Sequence, residues 1–129
     1  MTQPILFPDV YYPQTTLGRE LAAFYERHEL VPEPRHLHLD TYCVLLRCGL
    51  SLKDEIAVHW CLAGNGSLSF EGVCCLVLGL AFPRHFGFFR AAYRKGRKAH
   101  RFHSLDFAPL LDQPLHAIRA QLALQPLHP

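Results

Sequence analysis

The chain lacks a long hydrophobic run. Its longest apolar tract, residues 73–82, is about half of the roughly 20 residues a helix needs to span a bilayer. A buried helix suits that tract and a transmembrane one does not. The opening Met-Thr-Gln-Pro-Ile-Leu-Phe-Pro has no basic segment followed by an apolar stretch, so no signal peptide is expected. Cysteine is present in an odd number, five, without the paired two-residue spacing of a zinc ribbon. Free thiols and a reducing, cytoplasmic compartment follow as expectations. Charge of one sign is scarce too. A net +2 is too little to suggest a nucleic-acid partner. No repeat or low-complexity segment is present.

What is there is one ordinary domain's worth of chain: 129 residues, half of them hydrophobic, enough for a core and too apolar for a disordered chain. Nine histidines could raise its charge under mild acidity. Residues 1–15, with three prolines, predict an extended arm. From Thr16 a helix follows, with Leu17, Leu21, Phe24, Tyr25 and His28 on one stripe, and Pro32 and Pro34 end it. Leu39, Cys43 and Leu46 form the inward face of the next helix, with Gly49 as its stop. Ser51 and Asp54 make a capping-box pattern, so Leu52 opens a third helix whose inward stripe is Leu52, Ile56, His59 or Trp60, and Ala63.

Gly64-Asn65-Gly66-Ser67 reads as a turn. Residues 70–82 then predict a helix apolar nearly all round, central in the fold or facing a lipid-like ligand, with Cys74 and Cys75 in the core. Pro83 starts another helix with an aromatic face of Phe86, Phe88, Phe89 and Tyr93. It runs into the one dense basic cluster, Arg90, Arg94, Lys95, Arg97, Lys98 and Arg101. A short helix is expected after Asp106. A last one follows Asp112, with Pro114 in its first turn and Leu115, Ile118 and Leu122 as its packing stripe. Residues 125–129 read as a tail. The whole is expected to be all-α, a single compact domain of five to seven helices over residues 16–124.

Chemistry concentrates between residues 39 and 57. Asp40 and Cys43 share a helix face, and a tight helix–turn–helix can set Glu55 beside them, with His36, His38 and His59 near in sequence. The bland alternative is a buried Cys43, a capping or solvated Asp40 and a Glu55 paired with Lys53 or His59. His36-Leu-His38-Leu-Asp40 also matches the His-x-His opening of metal-dependent hydrolases, but that motif belongs to a barrel far longer than this chain.

Four segments carry a resemblance. They are Thr16-Leu-Gly-Arg, residues 40–55, Phe89-Arg-Ala-Ala-Tyr-Arg-Lys-Gly-Arg-Lys-Ala, and the run from Leu105-Asp-Phe to Ala-Ile-Arg119. Together they resemble the coenzyme Q (ubiquinone) biosynthesis protein 4 family, over about residues 16–124. The family pattern is His-Asp-x-x-His, eleven residues, then Glu, regarded as a zinc-binding motif. Asp40 takes the Asp position and Glu55 stands twelve after Cys43, where the Glu belongs, while Leu39 and Cys43 replace the two histidines. Cysteine can ligate zinc and leucine cannot, so His38, His36 or His59 would have to complete a site.

The resemblance implies a helical protein, peripheral on the cytoplasmic side of a membrane, that binds a polyprenyl-type lipid or quinone intermediate and works with other ubiquinone-biosynthesis proteins. It also implies a part in replacing the ring carboxylate by a hydroxyl. Asp40 and Glu55 would be catalytic, and zinc or iron would lie on Asp40, Cys43 and Glu55 with His38 or His59. The lipid and its charged end would meet Phe86, Phe89, Tyr93, Arg94 and Arg97. A second copy of the chain is a further expected partner. The alternative is a non-catalytic lipid-binding or scaffold relative with a degenerate metal site. A third reading, weaker than these, is a small metal-dependent enzyme outside quinone metabolism.

Overall fold

The computed structural model describes residues 15–31 and 37–128. Among them are six α-helices and no strand: α1 (Leu17–Arg27), α2 (Leu37–Leu46), α3 (Leu52–Asn65), α4 (Phe70–Leu80), α5 (Phe86–Lys98) and α6 (Leu115–Leu122). The expected all-α fold is what the chain forms. The N-terminal arm, Pro32, Pro34 and His36 lie outside the described residues.

Local chemistry starts the helices where expected. Thr16 Oγ1 accepts the Arg19 N–H, Ser51 Oγ that of Asp54 and Ser69 Oγ that of Gly72. Helix α1 is also held at its start by the segment before α6. The Leu17 and Gly18 N–H groups donate to the Gln113 and Leu111 carbonyls at 2.9 and 2.7 Å, satisfying donors a helix leaves open. One turn into α6, Arg119 donates through Nε to the Leu45 carbonyl and through Nη2 to that of Val44, closing the last turn of α2.

The centre is the pair α3 and α5. Gly64 and Gly96 face the partner helix's backbone: a Cβ on Gly64 would strike the Tyr93 carbonyl, and one on Gly96 the Cys61 carbonyl. Asn65, buried, locks the crossing. Its Nδ2 donates to the Gly96 and His100 carbonyls at 2.9 and 3.1 Å, and its Oδ1 accepts the Phe102 N–H at 2.8 Å. Around this pair the core gathers Leu17, Leu21, Leu45, Leu46, Ile56, Phe89, Phe102 and Ile118.

Several expectations change. Residues 64 and 65 belong to α3, and the turn begins at Gly66, whose φ of 111° suits a glycine. Helix α2 stops at Leu46 with Arg47, not Gly49, in the left-handed region. Leu52 is exposed at a cavity that Phe82, His85 and Phe89 also line, whereas His59 and Trp60 are both buried. The short helix after Asp106 is a single 3-10 turn at Ala108–Leu110, another 3-10 turn at Pro83–His85 precedes α5, and Pro114 caps α6 from outside. The last residues are docked: Leu127 is buried and its N–H donates to the Leu46 carbonyl at 2.7 Å.

Helix α4 departs most from expectation. It is peripheral, with Gly72, Cys75 and Gly79 against the domain and Phe70, Val73, Cys74, Val77 and Leu78 outward. Its inner face is narrow because Gly79 lies under the Trp60 ring, whose Nε1 donates to the Cys75 carbonyl.

Gly96→Ala is expected to lower stability by about 3 kcal/mol, the upper end of overpacking costs, because backbone rather than a side chain must move. Gly87→Ala, where nothing lies within 4 Å, should instead stabilise α5 by about 0.5–1 kcal/mol. Urea melts of the two variants check both.

Candidate functional site

Between α2 and α3 lies a cavity of about 190 Å³. Asp40 and Cys43 reach it from α2, Glu55 and His59 from α3, and Leu39, Leu50 and Val58 supply apolar wall. The helix–turn–helix thus brings four of the expected site residues around one space. His38 is exposed and contributes no wall; its ring stands 6.4 Å from that of Tyr42.

Asp40 Oδ2 accepts the Tyr25 hydroxyl at 2.8 Å. Burial, with the hydrogen bond and charge of Asp40, holds Tyr25 protonated far above its usual range. Burial, with the charges of Asp40, Asp54 and Glu55, pushes the Cys43 thiol up to about 12. At neutral pH it is therefore a thiol, a poor nucleophile toward carbon. Glu55 is exposed at the rim, and His59 Nε2 lies 3.6 Å from Glu71 Oε1 at the start of α4.

The donor atoms test the ligand set that the resemblance implies. Among the described residues, two groups of three or more bring ligand atoms within 4.8 Å of one another: Glu55, His59 and Glu71, and Cys48, Asp54 and His128. Asp40 and Cys43 belong to neither. With Leu39 unable to ligate, and Asp40 and Cys43 apart from both groups, the inherited spacing does not bring a closed ligand set together among the described residues.

Glu71 is the residue that sequence reasoning missed. Its signal was its place in the first turn after a tight α3–α4 connection, which folds it back over His59. Lys53 does not pair with Glu55; its Nζ sits 4.5 Å over the Phe88 ring.

The expected lipid-binding residues are spread over three places. Phe89 is fully buried and borders a second cavity of about 200 Å³ with Phe82 and His85. Phe86 and Tyr93 are partly exposed, Phe86 meeting the Trp60 ring edge-on at 5.7 Å. Arg94 lines a groove of about 450 Å³ with Arg90, Lys95 and Lys98 beside Ala123 and Gln125, and Arg97 is exposed outside it. Among the described residues, no carboxylate side chain lines that groove.

The cysteines separate by burial. Cys43, Cys48, Cys61 and Cys75 are buried, and burial raises all four thiols, Cys61 to about 12 and Cys75 to about 11, while Cys74 is exposed, contrary to its expected place in the core. A disulfide reagent at neutral pH should therefore label one thiol rapidly in the folded protein and the other four only on unfolding. Cys74→Ser should abolish the rapid phase.

No single helix is long and apolar enough to cross a membrane, although α3 and α4 taken together pass by length and composition as a pair bent by 117°. No family model, no curated protein and no solved structure matches the chain.

Proposed function

We propose that this chain is a ubiquinone-biosynthesis protein of the coenzyme Q biosynthesis protein 4 type, peripheral on the cytoplasmic side of a membrane. It binds a polyprenylated ring intermediate and supports exchange of the ring carboxylate for a hydroxyl, or organises the enzymes that make it. The observation that carries the proposal is the outward apolar stripe of α4. Phe70, Val73, Val77 and Leu78 recur at helical spacing on the solvent side, with Phe70 86% exposed. Burying one such side chain is worth about 1.5–3 kcal/mol, and a contiguous apolar face of this kind marks a surface that something apolar covers. A prenyl tail or the acyl region of a bilayer supplies that cover.

The remaining features agree in chemistry. The cavity between α2 and α3 offers the Asp40 and Glu55 carboxylates, which accept hydrogen bonds from ring hydroxyls. The groove of Arg90, Arg94, Lys95 and Lys98 attracts anionic headgroups, each basic residue contributing about 1 kcal/mol near a charged surface. A zinc or iron ion would be held by Glu55, His59 and Glu71. Other enzymes of the pathway and a second copy of the chain are the protein partners of this reading.

A specific observation favours a non-catalytic form of the same protein. Leu39 at a ligand position, with Asp40 and Cys43 outside both groups of converging donor atoms, fits a scaffold or lipid carrier that has lost the chemistry of its motif. In that case Asp40→Ala and Glu55→Ala proteins restore quinone synthesis as well as the wild type, whereas loss of complementation by either folded variant supports a chemical role.

Deleting the gene in its host should lower quinone content, and unchanged quinone would sink the pathway assignment. In flotation with vesicles of mixed neutral and anionic phospholipid, the wild-type chain should rise with the lipid. Phe70→Glu together with Val77→Glu should weaken that binding by about a hundredfold or more, the rough equivalent of losing two buried apolar contacts.

A further inference from the structure

Three unlike ligand atoms converge where the α2–α3 connection meets the C-terminal segment. We propose that Cys48, Asp54 and His128 form a binding site for a transition-metal ion of the zinc class, separate from the α2–α3 cavity. The Cys48 sulfur, an Asp54 carboxylate oxygen and a His128 ring nitrogen all lie within 4.8 Å of one another. Thiolate, carboxylate and imidazole are the donors zinc takes, at roughly 2.0–2.3 Å, so small side-chain movements close all three on one ion.

The carboxylate is already oriented. Asp54 Oδ2 accepts the Gly49 N–H at 2.9 Å, which leaves Oδ1 directed at His128 Nε2, 2.7 Å away. A backbone donor of that kind fixes a ligating carboxylate from outside the metal shell. Cys48 is held by its own N–H, which donates to the Cys43 carbonyl at 2.8 Å. His128 is delivered by the buried Leu127 beside it and rests 5.1 Å from the Phe88 ring.

Burial and connectivity separate this group from a chance surface cluster. Cys48 and Asp54 are both less than a tenth exposed, so an ion there is largely stripped of water on two sides. The ligands come from the α2–α3 loop, the first turn of α3 and the C-terminal segment, so one ion ties three stretches of chain together. Three protein ligands leave a fourth tetrahedral position open on the half-exposed His128 side, the arrangement that lets zinc hold a water or a small ligand. The Cys48 thiol gives up its proton as the ion enters, since only the thiolate ligates.

Cobalt(II) titration of the full chain, first stripped by chelator, tests the proposal. Expected is a thiolate-to-cobalt charge-transfer band that saturates with one ion at this site and that zinc abolishes. Cys48→Ser should remove the band, and His128→Ala should weaken binding by at least about tenfold, since losing even an outer-shell partner costs that much. Glu71→Gln should leave the band intact, which keeps this site distinct from Glu55, His59 and Glu71. Absence of the band in wild-type chain with its full helical circular dichroism overturns the proposal. So does a band that survives Cys48→Ser, which would assign the metal to another thiol such as Cys74. If Cys48→Ser loses helical signal, His128→Ala decides, because its side chain is half-exposed: unchanged cobalt affinity there overturns the site.

Discussion

The close backbone approach of α3 and α5 is the constraint on which the remaining packing rests. Two glycines, Gly64 and Gly96, let the helices meet where any side chain would collide with a carbonyl. Asn65 then uses both ends of its amide to bind the end of α5 and the chain that follows it. A buried amide is costly when left unpaired and specifying when fully paired, so this residue fixes the direction in which the chain leaves α5. That direction brings Phe102 and Phe107 under Tyr42 and sets Tyr42 to donate to the His103 carbonyl.

With α3 engaged on α5, its other sides carry α2 and α4, and this arrangement explains both the cavity and the exposed face. Residues 56–62 of α3 are all buried, so its middle turns are covered on every side. Helix α2 meets it across the Arg47–Ser51 loop, and the space left between them is the cavity with Asp40, Cys43, Glu55 and His59. Helix α4 packs mainly on α3 through small residues and the Trp60 ring. No other described element covers its outer half, and so an apolar helix that belongs by composition in a core stands with its stripe toward solvent.

The C-terminal residues do more than end the chain. Arg119 satisfies two carbonyls of α2, Leu127 fills the core beside Leu46, Lys95 donates to the Pro126 carbonyl, and His128 reaches Asp54. Burial works to raise the Asp54 carboxyl, yet His128, the Gly49 N–H and Ser51 outweigh it and hold it below its ordinary value. Charge at the α2–α3 corner is thus set by a residue 74 positions away.

Much of the fold was written locally. Thr16, Ser51 and Ser69 cap helices wherever they fall, because a side-chain oxygen and the next turn's N–H need no distant partner. The stripes of Leu17, Leu21 and Phe24 and of Leu115, Ile118 and Leu122 are legible for the same reason: helical periodicity is a property of the segment. The gathering of Asp40, Cys43, Glu55 and His59 was legible too, since a short connection between two capped helices leaves few alternatives. Tertiary structure alone decided which apolar face is covered, which cysteine is exposed, that Asn65 is a buried hub rather than a turn residue, and which ligands meet. Glu71 comes to His59, and His128 to Cys48 and Asp54, only through the packing of whole helices. Burial and long-range proximity depend on what the rest of the chain places nearby, and no local pattern carries that information.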